Sequence, residues 1–242
     1  MFIRHRSQGI VLKKVNRREA DQLFTVYTKD FGKIKVLGRG IRKISSKLKS
    51  GMEPFYLSEV EFIQGKSGKT LTDVFLIDSF RDLRKDLKRL NIAYRISELL
   101  DNLIYGEEPE KKVWILLSNT LRRLDNRDFK IKNPKIIYYH FLWNLFSVLG
   151  YRPELYQCSS CGEKLKLGKL YFNEGDGGVI CSRCFSKKKL GKEIDSDAVK
   201  ILRVVLDGSE KIISKLSVEE RHFKLLEEIS KKYIEFVSEK SH

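Results

Sequence analysis

Four cysteines, Cys158, Cys161, Cys181 and Cys184, form two Cys-x-x-Cys pairs separated by 19 residues, and they are the only cysteines in the chain. Two thiolates at that spacing grasp one ion from a tight knuckle turn, and two knuckles complete the tetrahedral sulfur shell that Zn2+ accepts. Gly162, directly after the second cysteine, relieves crowding where backbone amides turn toward sulfur. An iron–sulfur centre uses the same four thiolates, and two disulfides are the bland alternative. One structural zinc is the preferred reading, because four protein ligands leave no water position for catalysis. Four ionised thiols and one Zn2+ would lower the formal charge from +16 to +14.

A second pattern is electrostatic. From Phe31 through Met52 there are seven basic residues and no acidic one. Lys35, Arg39, Arg42, Lys43, Lys47 and Lys49 are candidates to contact phosphates along a strand and its following loop. Such contacts are expected to be mobile, indifferent to sequence and sensitive to salt. Phe31, Phe55 and Tyr56 flank the run as candidate base-stacking platforms, although a barrel core also needs aromatic rings. Arg81, Arg84, Lys85, Lys88 and Arg89 on a following helix, and Lys187–Lys189 beside the cysteines, are candidates to extend the path. Catalysis finds no counterpart: there is no phosphate loop, no His-Glu-x-x-His and no nucleophile elbow. The four histidines, His5, His140, His222 and His242, form no ligand set, and His140 in YYHFLW reads as a core residue.

These residues need elements to hold them. In 242 residues, 41% are hydrophobic and only four are proline, which excludes a disordered basic tail. No run approaches the length of a membrane span, and the N-terminus lacks the pattern of a secretion signal, so a cytoplasmic, nucleoid-associated protein is expected. Residues 1–49 carry fourteen basic and three acidic side chains, whereas residues 155–242 are nearly balanced. The segments GIVLKKV, QLFTVYT, KIKVLGRGI, YLSEVEFIQGK and TLTDVFLIDSF read as five strands, with turns at Phe31-Gly32-Lys33 and Gly65–Gly68. Five strands without an intervening helix suggest a closed barrel of the oligonucleotide-binding (OB) kind, ahead of an SH3-like one. From Phe80 the period becomes helical, with Leu83, Leu87, Leu90, Tyr94, Ile96, Leu99, Leu100 and Leu103 on one stripe. Asn133-Pro134 opens an almost wholly apolar helix, and Ser217 with Glu220 has the spacing of a capping box before the last one. The fold class is thus α+β and multidomain. The divisions are a barrel over 1–80, a helical domain over 81–155 with a four-cysteine zinc insert over 156–190, and terminal helices over 191–242 packing on the central ones.

Taken together, GIVLKKV, READQLFTVYTKDFGKIKVLGRGIRK, LKSGMEPFYL, the Phe80–Leu103 helix, and the join of FSVLGYRPELYQCSSCG to YFNEGDGGVICSRC resemble the bacterial RecO family. The similarity covers residues 1–185 in order, and it is carried most specifically by Ala20-Asp21-Gln22-Leu23, Phe31-Gly32-Lys33 and the Leu-Gly-Tyr-x-Pro lead into the first knuckle. What the resemblance implies is a non-enzymatic DNA repair and recombination mediator with an OB-fold, a helical domain and a zinc insert. Such a protein binds single- and double-stranded DNA, anneals complementary strands and, with RecR, helps load RecA on DNA coated by single-stranded DNA-binding protein. It also implies that the loop from Arg39 through Lys49 contacts DNA and that the helical domain docks the acidic tail of the coating protein. RecF is a further candidate partner. Gln22 stands where a basic residue is common in the family. Two other classes fit the residues alone: an adaptor whose basic face receives acidic tails, and an RNA- or transcription-associated zinc module.

Overall fold

The computed structural model describes residues 3–240 apart from 67, 128–132 and 167. By packing, the chain divides into two compact units, Met1–Asp128 and Phe129–His242. Among the described residues, no helix is long and apolar enough to cross a membrane.

The first unit is built on a closed barrel of β1 (Arg4–Arg17), β2 (Asp21–Thr28), β3 (Gly32–Gly38), β4 (Leu57–Gly65) and β5 (Gly68–Asp78). Strand order around the barrel is β1-β2-β3-β5-β4, with β4 returning to β1. That is the OB arrangement. The pairings are antiparallel except for a short parallel seam, where Val36 meets Lys69 and Leu37 meets Thr70. Alternation decides what faces inward. On β3, Ile34 and Val36 join Val11, Phe24, Val26, Val60, Phe62, Leu71 and Val74 in the core, whereas Lys35 is exposed. The chain between β3 and β4 returns Ile41, Leu48 and Met52 to that core through a short 3-10 turn, Lys47–Gly51.

Three helices complete the unit: α1 (Arg81–Lys85), α2 (Leu87–Leu103) and α3 (Lys111–Asp125). The stripe that predicts one helix from Phe80 is interrupted at Asp86, whose carboxylate accepts from the amides of Lys88 and Arg89 and so starts α2 afresh. The restart turns Leu87 out to solvent, at 82% exposure, and leaves Tyr94 about half exposed instead of within the stripe. The Phe31-Gly32-Lys33 turn docks these helices on the barrel. Thr28 Oγ1 accepts from the Phe31 amide at 3.0 Å, and Lys33 Nζ donates to the Asp101 carbonyl at 2.7 Å. Gly32 adopts φ +59° against the backbone of Glu107 and Glu108, where any Cβ would collide. Ser97 Oγ, from α2, donates to the carbonyl of Leu12 on β1 at 2.8 Å.

In the second unit α4 (Lys135–Val148) is buried over most of its circumference. Asn133 Oδ1 accepts from the Lys135 amide at 3.0 Å, the cap that Asn133-Pro134 predicts. After it come the hairpin β6 (Leu170–Asn173) and β7 (Gly178–Cys181), α5 (Ser182–Lys188), β8 (Lys192–Ile194), α6 (Ser196–Asp207), α7 (Glu210–Lys215) and α8 (Glu220–Lys240). β8 pairs with β6, making a three-stranded sheet. Tyr233 of α8 stacks on Trp143 at 5.2 Å and meets Phe172 of β6 edge-on at 5.5 Å, so α4, α8 and the cysteine-bearing segment share one aromatic core. The capping box read at Ser217 and Glu220 does not set the start of α8. The first amides, of His222 and Phe223, bond to the carbonyl of Glu219, three to four residues before them.

Candidate functional site

The four cysteines converge. Cys158 and Cys161 belong to the turn after the Pro153 lead-in, Cys181 ends β7, and Cys184 lies in the first turn of α5. All four sulfurs lie within 4.8 Å of one another, and none is in a disulfide. Tetrahedral coordination with Zn–S bonds of about 2.3 Å places sulfurs roughly 3.8 Å apart, so the cluster fits a metal ion after a small contraction. Backbone amides support the charge: the Cys181 N–H points at Cys158 Sγ at 3.4 Å, and the Gly162 N–H closes the knuckle on the Cys158 carbonyl at 2.8 Å. Burial opposes ionisation of Cys158, yet the amides of Cys181, Cys161 and Ser160 outweigh it and bring the thiol down to about 6. Cys184 moves the other way, to about 12, through desolvation and the neighbouring sulfurs. A cation among the sulfurs would favour the thiolate form of all four. Arg183 bonds both Cys161 Sγ, at 3.8 Å, and Glu163, at 2.8 Å, beside the exposed edge of the cluster. Beneath it Tyr171, Ile180 and Phe185 form a small apolar floor.

The basic residues gather on the barrel of the other unit. A cleft of about 760 Å³ is lined by Arg17, Arg18, Asp21, Leu23, Lys35, Leu37, Arg39, Gly68 and Lys69. Register explains the convergence. Leu23 sits opposite Leu37, Arg17 opposite Asp21, and the parallel seam sets Lys69 beside Val36. Lys35 and Arg39 were expected; Arg17, Arg18 and Lys69 were not, and their only signals are a dibasic pair before a turn and a lysine after Gly68. Arg42, Lys43, Lys47 and Lys49 continue outward along the next loop, all exposed.

Pairing separates these cations from several others on the barrel. Arg4 and Arg6 face Glu59 and Glu61, Lys13 and Lys33 face Asp101, and Lys14 faces Glu53. Among the described residues, Arg17, Arg18, Lys35, Arg39, Arg42, Lys43, Lys47 and Lys49 have no ion pair, and Lys69 pairs with Glu107. The loop is also anchored to the barrel at several points. Ile41, Leu48 and Met52 anchor it in the core, the Arg42 amide bonds the Ala20 carbonyl at 3.0 Å, and Arg42 Nη1 bonds the Glu19 carbonyl at 2.9 Å.

The aromatic candidates resolve differently. Phe31 packs edge-on against His5 and Phe62, Phe55 is buried against Tyr94, and Tyr56 lies under the Arg84 guanidinium at 4.9 Å. All three have structural partners, and the cleft lining holds no aromatic ring. Arg84 donates to the Pro54 carbonyl and Arg89 to the carbonyls of Leu124 and Asn126, so these two helix cations hold the fold. Lys85 and Lys88 remain exposed. Gln22 bonds Asn16 at 2.9 Å. His140 is buried and faces the Val205 carbonyl, as its core reading expects; His222, in a charged helical stretch, is also buried and faces Asp195.

A closed barrel of OB topology, in one chain with a helical unit bearing a four-cysteine ligand set, defines the class: an OB-fold protein with a zinc-type metal motif. Residues 1–80 match the family described as Recombination protein O N terminal, and residues 84–242 match Recombination protein O C terminal. The chain is 30% identical over 237 residues to the DNA repair protein RecO of Acetivibrio thermocellus, covering 98% of this chain and 93% of that protein. It is 31% identical over 235 residues to RecO of Dehalococcoides mccartyi, covering 97% and 91%. The chain belongs to the RecO family of DNA repair and recombination mediators.

Proposed function

We propose that this protein binds the backbones of single- and double-stranded DNA through its barrel, anneals complementary strands and, with RecR, helps load RecA on DNA coated by single-stranded DNA-binding protein. The observation that carries the reading is the set of cations without carboxylate partners: Arg17, Arg18, Lys35 and Arg39 around the cleft, then Arg42, Lys43, Lys47 and Lys49 along the loop. Elsewhere on the barrel Arg4, Arg6, Lys13, Lys14 and Lys33 meet acidic side chains, whereas this cluster is open to an anionic polymer. The absence of rings from the cleft favours grip on phosphates over stacking on bases, which suits both strandedness and sequence tolerance. Annealing then needs no bond-making by the protein: cations lower the repulsion between two backbones while base pairing supplies the match.

Lys85 and Lys88 are secondary contacts in this scheme. RecR, RecF and the acidic tail of the coating protein are the proposed partners on the strength of the family, as is a place with the nucleoid. The four cysteines hold one Zn2+ in this reading, through Cys158, Cys161, Cys181 and Cys184, and the ion ties the knuckles together without taking part in DNA chemistry.

The test replaces Lys35, Arg39, Lys43 and Lys47 with Ala, four exposed side chains outside the core. DNA binding should weaken at every sequence tried, and the slope of log K against log salt should become shallower by about 3, since each phosphate contact contributes roughly 0.7–0.9. Annealing of complementary strands, bare and coated, should slow in parallel. A folded variant with unchanged binding and annealing would remove the face from the scheme and leave the adaptor as the better reading.

A further inference from the structure

The cleft contains one carboxylate, and it is not where electrostatics alone would put it. Asp21 stands among Arg17, Arg18, Lys35, Arg39 and Lys69, where a negative charge can only oppose an incoming phosphate. Among the described residues it forms no ion pair with any of them. Instead Asp21 Oδ1 accepts from the backbone amide of Gly40 at 2.7 Å.

That bond joins two pieces of chain. Asp21 opens β2 directly after the turn that begins at Arg18, which follows Arg17 at the end of β1 and itself has φ +49°. Gly40, at φ +60°, lies between Arg39, which faces the cleft, and Ile41, which enters the core. The Gly40 carbonyl in turn receives the Lys43 amide at 3.0 Å, and the Arg42 amide reaches Ala20, next to Asp21, at 3.0 Å. The turn and the corner are thus zipped together, with two side chains taking part: Arg42 Nη1 donates to the Glu19 carbonyl at 2.9 Å, and Asp21 is the one that accepts from the corner's backbone.

Resting on the DNA-binding reading above, we infer that Asp21 is a positioning residue: it clasps the Gly40 amide so that Arg39, Arg42 and Lys43 are held in register with Arg17 and Arg18, and this gain outweighs the repulsion its charge exerts on the bound backbone. The two contributions separate by substitution. Asp21→Asn keeps an oxygen acceptor and loses the charge, whereas Asp21→Ala loses both.

Binding of a fluorescent single-stranded oligonucleotide is measured over a salt series for the unaltered chain and both variants. Asp21→Asn should bind as tightly as the unaltered protein or up to about threefold more tightly at low salt, with an equal or steeper salt slope. Asp21→Ala should bind about fivefold more weakly despite its extra net positive charge, with a shallower slope because fewer cations reach the backbone together. Equal affinities for the two variants, whether both tighter or both weaker, would overturn the clasp. Hydrogen exchange at the Gly40 amide gives a check that does not depend on either variant folding: it should be protected in the unaltered chain, and exchange at the rate of an open amide would overturn the inference. Failure of the DNA-binding reading is a different result, in which the unaltered protein shows no salt-dependent binding while the Gly40 amide stays protected.

Discussion

Single side chains on the barrel rim trade stability against charge placement. Arg18 is the clearest case. Its φ of +49° lies in the left-handed region, which costs an ordinary residue on the order of 1 kcal/mol and which glycine adopts freely. Arg18→Gly should therefore raise the melting temperature slightly, or leave it unchanged once the greater freedom of the unfolded chain is counted, while weakening DNA binding severalfold. Thermal melts and binding isotherms on the same preparation check this; a variant that loses stability and keeps its affinity would show that Arg18 serves the turn and not the ligand. The same trade explains why Lys33 and Arg84, as basic as any residue in the region, are not counted with the binding face. Lys33 is held by Asp101 and Arg84 by Pro54 and Tyr56, and both are drawn in from the surface, whereas Arg42 stays exposed although it too bonds a carbonyl.

At the level of elements, the four-cysteine segment is small and draws its order from few sources. The β6–β7 hairpin has only four residues in each strand, and its floor is Tyr171, Ile180 and Phe185 with the sulfurs. Removing the metal with a chelator should release one zinc per chain and expose this segment to protease, while the barrel keeps its thermal transition. Native mass spectrometry and limited proteolysis read the two outcomes; a chain that contains no zinc when folded would overturn the assignment. Metal uptake should strengthen as pH rises, because thiols whose protons the metal must displace, Cys184 foremost, hold them less firmly at higher pH. Most of this segment is legible in the residues, since ligand spacing is local. The barrel strands are legible for the same reason, through alternation, and Lys35 follows directly from it. The cleft is not. Arg17 and Lys35 reach it through the β1–β2–β3 pairings, but Lys69 joins them only through the parallel seam between β3 and β5, and no local pattern announces a pairing across some thirty residues. The break at Asp86 and the short elements β8 and α7 escape for the opposite reason: each is decided by one cap or two or three pairings, too little to alter a periodicity.

Over the whole molecule, charge and architecture are distributed unequally. The first 49 residues carry a surplus of eleven positive charges, and the last 88 carry three. The family description divides between residues 80 and 84, yet the packing assigns everything through Asp128 to the barrel's unit. The turn at Phe31-Gly32-Lys33 gives that difference a practical meaning. Gly32 is shaped to the backbone of Glu107 and Glu108, Lys33 needs Asp101, and Leu12 receives Ser97, all of them beyond residue 80. A fragment cut at residue 80 would present these surfaces bare, together with Phe55 deprived of Tyr94. Residues 1–80 alone should be poorly soluble or loosely folded, whereas residues 1–127 should melt cooperatively and retain salt-dependent DNA binding, as circular dichroism and binding measurements on the two fragments would show. The smallest portable piece that would carry the proposed DNA binding is then a barrel with its own three-helix buttress, which sets where the chain can be truncated, fused or transplanted.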